Sequence, residues 1–244
     1  MMTKTKKKQL LSSTVLLSAL VLVTVIVIPS SRTTDGIILS TATAQQTTTL
    51  KKVLIVTTSH NVLGNSGYPT GVWLSEMTHP FSAMANAGFN ITIASVKGGN
   101  VPIDPYSIPS NSQGTNRDDP ITEKFLHTPT YVAMINHTVP LSTINPKDYA
   151  AVIFPGGNGA TYDFPWDKNV NKIAATIYEQ VGVVATVCHG PAALLNATLS
   201  NGQYLIKGMK VTGFSNEEEA GLENELPNVE LSMKRYMSMN PLSL

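Results

Sequence analysis

Cysteine occurs once in the 244 residues, at Cys188. No intrachain disulfide can form, so a disulfide-stapled scaffold is excluded whatever compartment the chain occupies. Charge is also scarce: Asp, Glu, Lys and Arg make up 14% of the chain and leave a net charge of +1. An extended basic face is therefore missing, and nucleic acid is not an expected partner. Aromatic residues contribute only 7%, and no internal repeat is present, which excludes solenoid and propeller architectures. What remains, 42% hydrophobic residues distributed along the whole chain, fits one α/β domain with an additional segment.

The additional segment is the amino terminus. Lys4, Lys6, Lys7 and Lys8 precede a stretch from Leu10 to Ile28 that carries no charge. At about 19 residues it is long enough to span a bilayer and longer than the apolar core of most cleaved signals. Residues 1–29 are thus expected to engage the membrane or the export machinery, as a signal peptide or an anchor. Ala42-Thr43-Ala44 offers a small-x-small cleavage site, but far beyond Ile28. The lysines would stay on the cytoplasmic side and the rest would be exported, secreted or membrane-anchored. Residues 30–50, rich in Ser, Thr, Ala and Gln, read as a flexible linker, and residues 51–244 as the folded domain.

Within that domain, Lys52 to Thr58 is a continuous β-favouring apolar run, the signature of a parallel strand buried on both faces. A helical pattern beyond Pro80 ends near Gly88, and Asn90 to Ser95 forms a second strand. Strand, helix and strand within about 45 residues make a βαβ unit, hence a right-handed crossover and a parallel sheet. Helix is expected over Ile121 to Ile135 with a break at Pro129, strand over Ala150 to Phe154, and an amphipathic helix over Asn169 to Gln180 with Gly182 after its end. Gly202 to Gly208 reads as a short hairpin and Lys210 to Phe214 as another strand end.

The most informative stretch is Val183 to Ala193. Four β-favouring residues in five positions make a strand; His189-Gly190-Pro191 cannot continue it, and Pro191 suits the first turn of a helix. Cys188 sits at that corner, which is nucleophile-elbow geometry with sulfur in place of hydroxyl. Backbone N–H groups and the helix dipole would favour the thiolate, so a thiol pKa well below the ordinary value is expected. The competing reading is a small buried core cysteine.

In an open parallel sheet, ligands gather beyond the carboxyl ends of the strands. The Gly156-Gly157 turn after the third strand can bring unhindered N–H groups to a developing oxyanion, with the N–H of His189 as a second donor. Glu76, beside Trp73, Leu74 and Met77, is either the exposed side of a helix or a buried acid with a raised pKa. The residues themselves do not choose among Glu217, Glu218 and Glu219 as the acid that orients His189. Glu76 and His79 are three apart and could meet on one helical face, but two ligands make a poor metal site, and no metal is expected.

Together these stretches resemble the DJ-1/PfpI family of the class I glutamine amidotransferase-like superfamily, and within it the glyoxalase III and chaperone branch. The resemblance rests on Thr70 to Glu76 with His79-Pro80, on Lys97-Gly98-Gly99 with Asp104-Pro105, on Phe154 to Gly157, on Ala185 to Pro191, and on Thr212 to Glu219. It implies a flavodoxin-like α/β sandwich with helices on both faces of a mainly parallel sheet. By the same resemblance Cys188 is the nucleophile, His189 its partner, Glu219 the orienting acid and Glu76 a buried carboxyl on the thiolate. The His-x-Glu pair of the amidotransferases proper is absent. Asn158 stands where the branch usually has histidine, which removes a titratable group from the pocket rim, and the resemblance implies a place for it with Gly156 and Gly157 at the substrate-binding turn. The chain ends about 25 residues after Glu219, short of the branch's usual length.

The resemblance implies a cofactor-independent enzyme acting on a small reactive carbonyl, as in the conversion of methylglyoxal to D-lactate, and a homodimer. The alternatives are a cysteine peptidase or amidase, and a holding chaperone or redox sensor that uses the same cysteine.

Overall fold

The computed structural model describes residues 23–26, 51–109 and 118–215. Residues 30–50, expected to be a linker, and most of residues 1–29, expected to be a signal or anchor, lie outside these residues, as does the end of the chain from residue 216.

Six strands form one sheet: β1 (Val23–Ile26), β2 (Lys52–Thr57), β3 (Asn90–Ser95), β4 (Val139–Pro140), β5 (Ala151–Phe154) and β6 (Val183–Val187). Their order is β1-β6-β5-β2-β3-β4. All neighbours are parallel except β1, which runs antiparallel to β6 with Val23 opposite Val187. Four residues of the apolar amino-terminal stretch thus lie on the sheet edge. Among the described residues, no helix is long and apolar enough to cross a membrane.

β2 is buried from Val53 to Thr57 because it lies inside the sheet with apolar layers on both sides. Val53 and Ile55 face one layer, built with Val72, Leu74, Met77, Phe81, Phe125 and Ile135 from α1 (Leu74–Asn86), α2 (Pro120–Leu126) and α3 (Pro129–Asn136) and from the segment before α1. Leu54 and Val56 face the other, which contains Ala160 from α4 (Gly159–Asp163), Phe164 just after it, and Ile173 and Ile177 from α5 (Lys168–Glu179). This is the expected parallel α/β sandwich, with strand alternation sending successive side chains to opposite cores. The break at Pro129 separates α2 from α3, as the sequence predicts.

Four local expectations differ. α1 starts before Pro80 rather than after it, because proline within the helix removes one N–H bond without ending the helix. Pro191 opens a 3-10 turn over Gly190–Leu194, not an α-helix. The segment 202–208 is a series of turns held by one antiparallel bridge, Thr198 to Tyr204, and 210–214 forms no strand. Gly182 does follow the end of α5, and the residue before it, Val181, is left-handed with φ 63°.

That last position carries a prediction. Gly182 follows because an added Cβ would lie 2.7 Å from the carbonyl of Ile177, whereas Val181 is 68% exposed and gains no burial for its strained backbone. A β-branched residue in this region costs about 1–2 kcal/mol. Val181→Gly should raise the stability by about 1 kcal/mol after glycine's extra chain entropy is subtracted. Urea unfolding would show a higher midpoint; an unchanged or lower one would refute the strain.

Candidate active site

β5 and β6 run side by side, with Phe154 opposite Thr186, and both end at the same rim of the sheet. Beyond Val187 the chain turns abruptly: Cys188 has φ 55°, and the following residue is already helical. A left-handed cysteine costs on the order of 1 kcal/mol and persists only where neighbours enforce it. Here they do, since any side chain on Gly190 would overlap the carbonyl of Phe154. The His-Gly-Pro corner is therefore a steric requirement of crossing the end of β5.

The Gly156-Gly157 turn fills the space between this elbow and the segment leading into α1. A Cβ on Gly156 would lie 2.5 Å from the backbone nitrogen of His189 and 2.9 Å from Oε2 of Glu76. Gly157 has φ 87°, and a Cβ there would lie 2.6 Å from the nitrogen of Trp73. Both glycines are needed for backbone to touch backbone at this point.

Glu76 is buried, 8% exposed, and accepts a 2.8 Å hydrogen bond from the Gly156 N–H. Of its two sequence readings, the buried acid is the correct one. Burial raises its pKa from 4.5 to about 7, against the opposing pull of the Gly156 N–H, His189 and the Cys188 thiol. This bond also removes the Gly156 N–H from the expected oxyanion donors. The N–H groups that reach the sulfur are those of Gly157 and His189.

Cys188 departs from expectation in one respect. Its thiol is pushed well above the ordinary range, first by burial and then by the Glu76 carboxylate, and the two N–H groups do not overcome this. The five-residue 3-10 turn that follows is too short to supply the helix field on which the lower value depended. At neutral pH the resting sulfur is a thiol with a base beside it.

His189 is 3% exposed, with Nδ1 3.2 Å from the Cys188 sulfur, so the ring folds back onto its sequence neighbour. Its other face stacks on Phe214 with ring centroids 4.4 Å apart, while the Phe214 N–H donates to the Cys188 carbonyl at 3.1 Å. Asn158 is half-buried at the start of α4, and its carbonyl accepts from the Thr161 hydroxyl at 2.8 Å. Glu219, with Glu217 and Glu218, lies outside the described residues. His79 turns away to Asp119, with Nε2 2.9 Å from each carboxylate oxygen. It therefore shares no ligand with Glu76, and no group of three metal-binding side chains occurs among the described residues.

Two site neighbours received no role from the sequence. Asp104 is 4% exposed and accepts from the Thr70 hydroxyl at 2.9 Å and the Tyr106 N–H at 3.0 Å. Its charge is felt by Glu76 and His189. Phe214 is the other. An acid before proline signals a turn cap, and nothing local distinguishes such a cap from a residue facing a site 80 positions away.

Residues 68–223 match the DJ-1/PfpI family. Over 162 residues the chain is 36% identical to Glyoxalase 3 of Candida albicans, a match covering 65% of this chain and 66% of that protein. Over 164 residues it is 33% identical to the glutathione-independent glyoxalase HSP31 of Saccharomyces cerevisiae, covering 66% and 68%. The crystal structure of Francisella tularensis Rapid Encystment Protein 24 kDa superposes with a TM-score of 0.66 at 42% identity, over 73% of this chain and 77% of that one. The chain thus spans about two thirds of the length of these curated relatives. With the parallel sandwich and the cysteine elbow, these matches place it: the chain belongs to the DJ-1/PfpI family, in its glyoxalase III/HSP31-like branch.

Proposed function

We propose that this chain is a cofactor-independent cysteine enzyme that converts small reactive carbonyls, with methylglyoxal and water giving D-lactate. The observation that carries the reading is a buried acid, Glu76, hydrogen-bonding the thiol at a strained elbow with His189 on its other side. The relatives named as glyoxalases support the substrate class.

The steps follow from the geometry. As the Cys188 sulfur bonds to the aldehyde carbon, its proton passes to Glu76 and the carbonyl electrons move to oxygen. The N–H groups of Gly157 and His189 stabilise that oxygen, which takes up a proton to complete a hemithioacetal. Removal of the former aldehyde hydrogen and return of a proton to the neighbouring carbon, through an enediol, give a lactoyl thioester. Glu76 and His189 serve as acid and base. Water then cleaves the thioester, returning the thiol and releasing lactate. A buried carboxyl titrating near neutrality suits repeated proton transfer between adjacent carbons, which acyl hydrolysis by a peptidase does not require.

The test is incubation with methylglyoxal in the absence of glutathione, with D-lactate measured stereospecifically. Loss of methylglyoxal without D-lactate would point to simple adduct formation and reject the enzyme.

Export remains part of the proposal, on the lysine-flanked apolar stretch Leu10 to Ile28. Protease added to intact cells should degrade the domain; full protection would reject it. Self-association, which the family resemblance implies, is likewise proposed, and a concentration-independent monomer in light scattering would reject it.

A further inference from the structure

Glu76 lies early in α1, a helix whose first turn has no side-chain cap: Trp73 occupies the cap position and supplies no side-chain oxygen. The start of the helix is held by the segment before it. The Val72 N–H donates to the Pro102 carbonyl at 2.9 Å, and the Asp104 N–H donates back to the Val72 carbonyl at 3.0 Å. On the other side, the Trp73 N–H donates to the Gly156 carbonyl at 3.3 Å. Segment 70–73 is thus clamped between the 102–104 turn and the glycine turn that bonds Glu76.

One side-chain bond fastens this clamp. Thr70 is 1% exposed and its hydroxyl reaches Oδ2 of Asp104, itself 4% exposed. A buried carboxylate is unfavourable to keep, and the catalytic steps do not use this one. We propose that the Thr70–Asp104 bond is a positioning device for Glu76, holding the start of α1 in the register that brings the Glu76 carboxyl to Gly156 and the Cys188 sulfur, and setting the pH at which that acid works. The inference rests on the reading that Glu76 serves Cys188.

The groups that face Glu76 are the Gly156 N–H, the Cys188 thiol, His189 and, at longer range, Asp104. Of these only Asp104 brings a negative charge from outside the thiol–acid–imidazole cluster. Its ionised form holds the Glu76 proton on, so its neutralisation should let Glu76 ionise at lower pH.

The experiment compares Asp104→Asn, Thr70→Val and Thr70→Ser in the full chain. The rate of Cys188 alkylation by iodoacetamide is followed against pH alongside methylglyoxal turnover. Asp104→Asn, which removes the charge, should move the rising limb of both profiles to lower pH by roughly half a pH unit. Thr70→Val leaves that charge in place and should keep the limb, but both variants should lower the alkylation rate and reduce kcat about tenfold with KM little changed, and Thr70→Ser, which keeps the hydroxyl, should restore both rates. An unmoved limb in Asp104→Asn, or parent-like rates in Thr70→Val with only a lower melting temperature, would overturn the proposal and leave the bond a structural one. If Asp104→Asn does not fold, the alkylation rate of Thr70→Val against that of Thr70→Ser carries the test. Alkylation requires no carbonyl substrate, so the positioning role is tested even in a protein that proves to lack glyoxalase activity.

Discussion

Cys188→Ala should reduce methylglyoxal turnover by on the order of 10³-fold or more, because no other group at the elbow can form the bond to carbon. The fold should survive. Cys188 is only half-buried, and alanine carries the same backbone strain at φ 55° as the cysteine it replaces. Circular dichroism and the melting temperature should therefore stay close to the parent while D-lactate production disappears. A fully active alanine variant would end the nucleophile assignment. Loss of holding activity toward an aggregating client, with turnover intact, would move the cysteine to the chaperone or sensor reading.

Glu76→Gln is the second large effect, with kcat expected to fall about 10²–10⁴-fold through loss of the proton acceptor. Its signature is in the pH profile. In the parent, Glu76 must be ionised to receive the thiol proton, so kcat/KM should rise as pH passes about 7, the value to which burial lifts this acid. In the glutamine variant that limb should vanish, and activity should rise only at the higher pH where the thiol ionises unaided. The same shift has a stability consequence. Because the folded state holds the Glu76 proton more tightly than the unfolded chain, this stabilisation is full below pH 4.5 and is lost as pH rises to about 7. Glu76→Gln should flatten the thermal stability across that window. A limb near pH 7 retained in the variant would overturn the assignment of that titration to Glu76.

Much of this was readable one segment at a time. Val53 to Val56 declare a doubly buried strand because a central parallel strand meets an apolar layer on each side, and the structure puts alternate residues of that run into two separate cores. Cys188 declares an elbow because His189-Gly190-Pro191 cannot extend a strand. Gly190 faces the Phe154 carbonyl so closely that no other residue fits. These signals are local, set by backbone dihedrals and strand pairing, and they require no knowledge of the rest of the molecule.

The properties that distant segments impose on one another were not readable. Whether Glu76 was an exposed helix residue or a buried acid depended on where the Gly156-Gly157 turn falls, 80 positions away. The thiol's pKa runs against the sequence expectation for the same reason. A corner at a helix start suggests stabilised charge, but the enclosed site removes water and adds a carboxylate, and both effects oppose ionisation. Asp104 and Phe214 look ordinary in the chain and become site neighbours only once loops from β3 and from beyond β6 meet at one rim of the sheet. The sequence alone therefore determined the four inner strands, the elbow and the family likeness, since those follow from steric rules acting over a few residues, while the edge strands β1 and β4 were not readable from it. Burial, charge state and the company each acid keeps were decided by tertiary structure, because desolvation and Coulomb interactions depend on three-dimensional distance and not on separation along the chain.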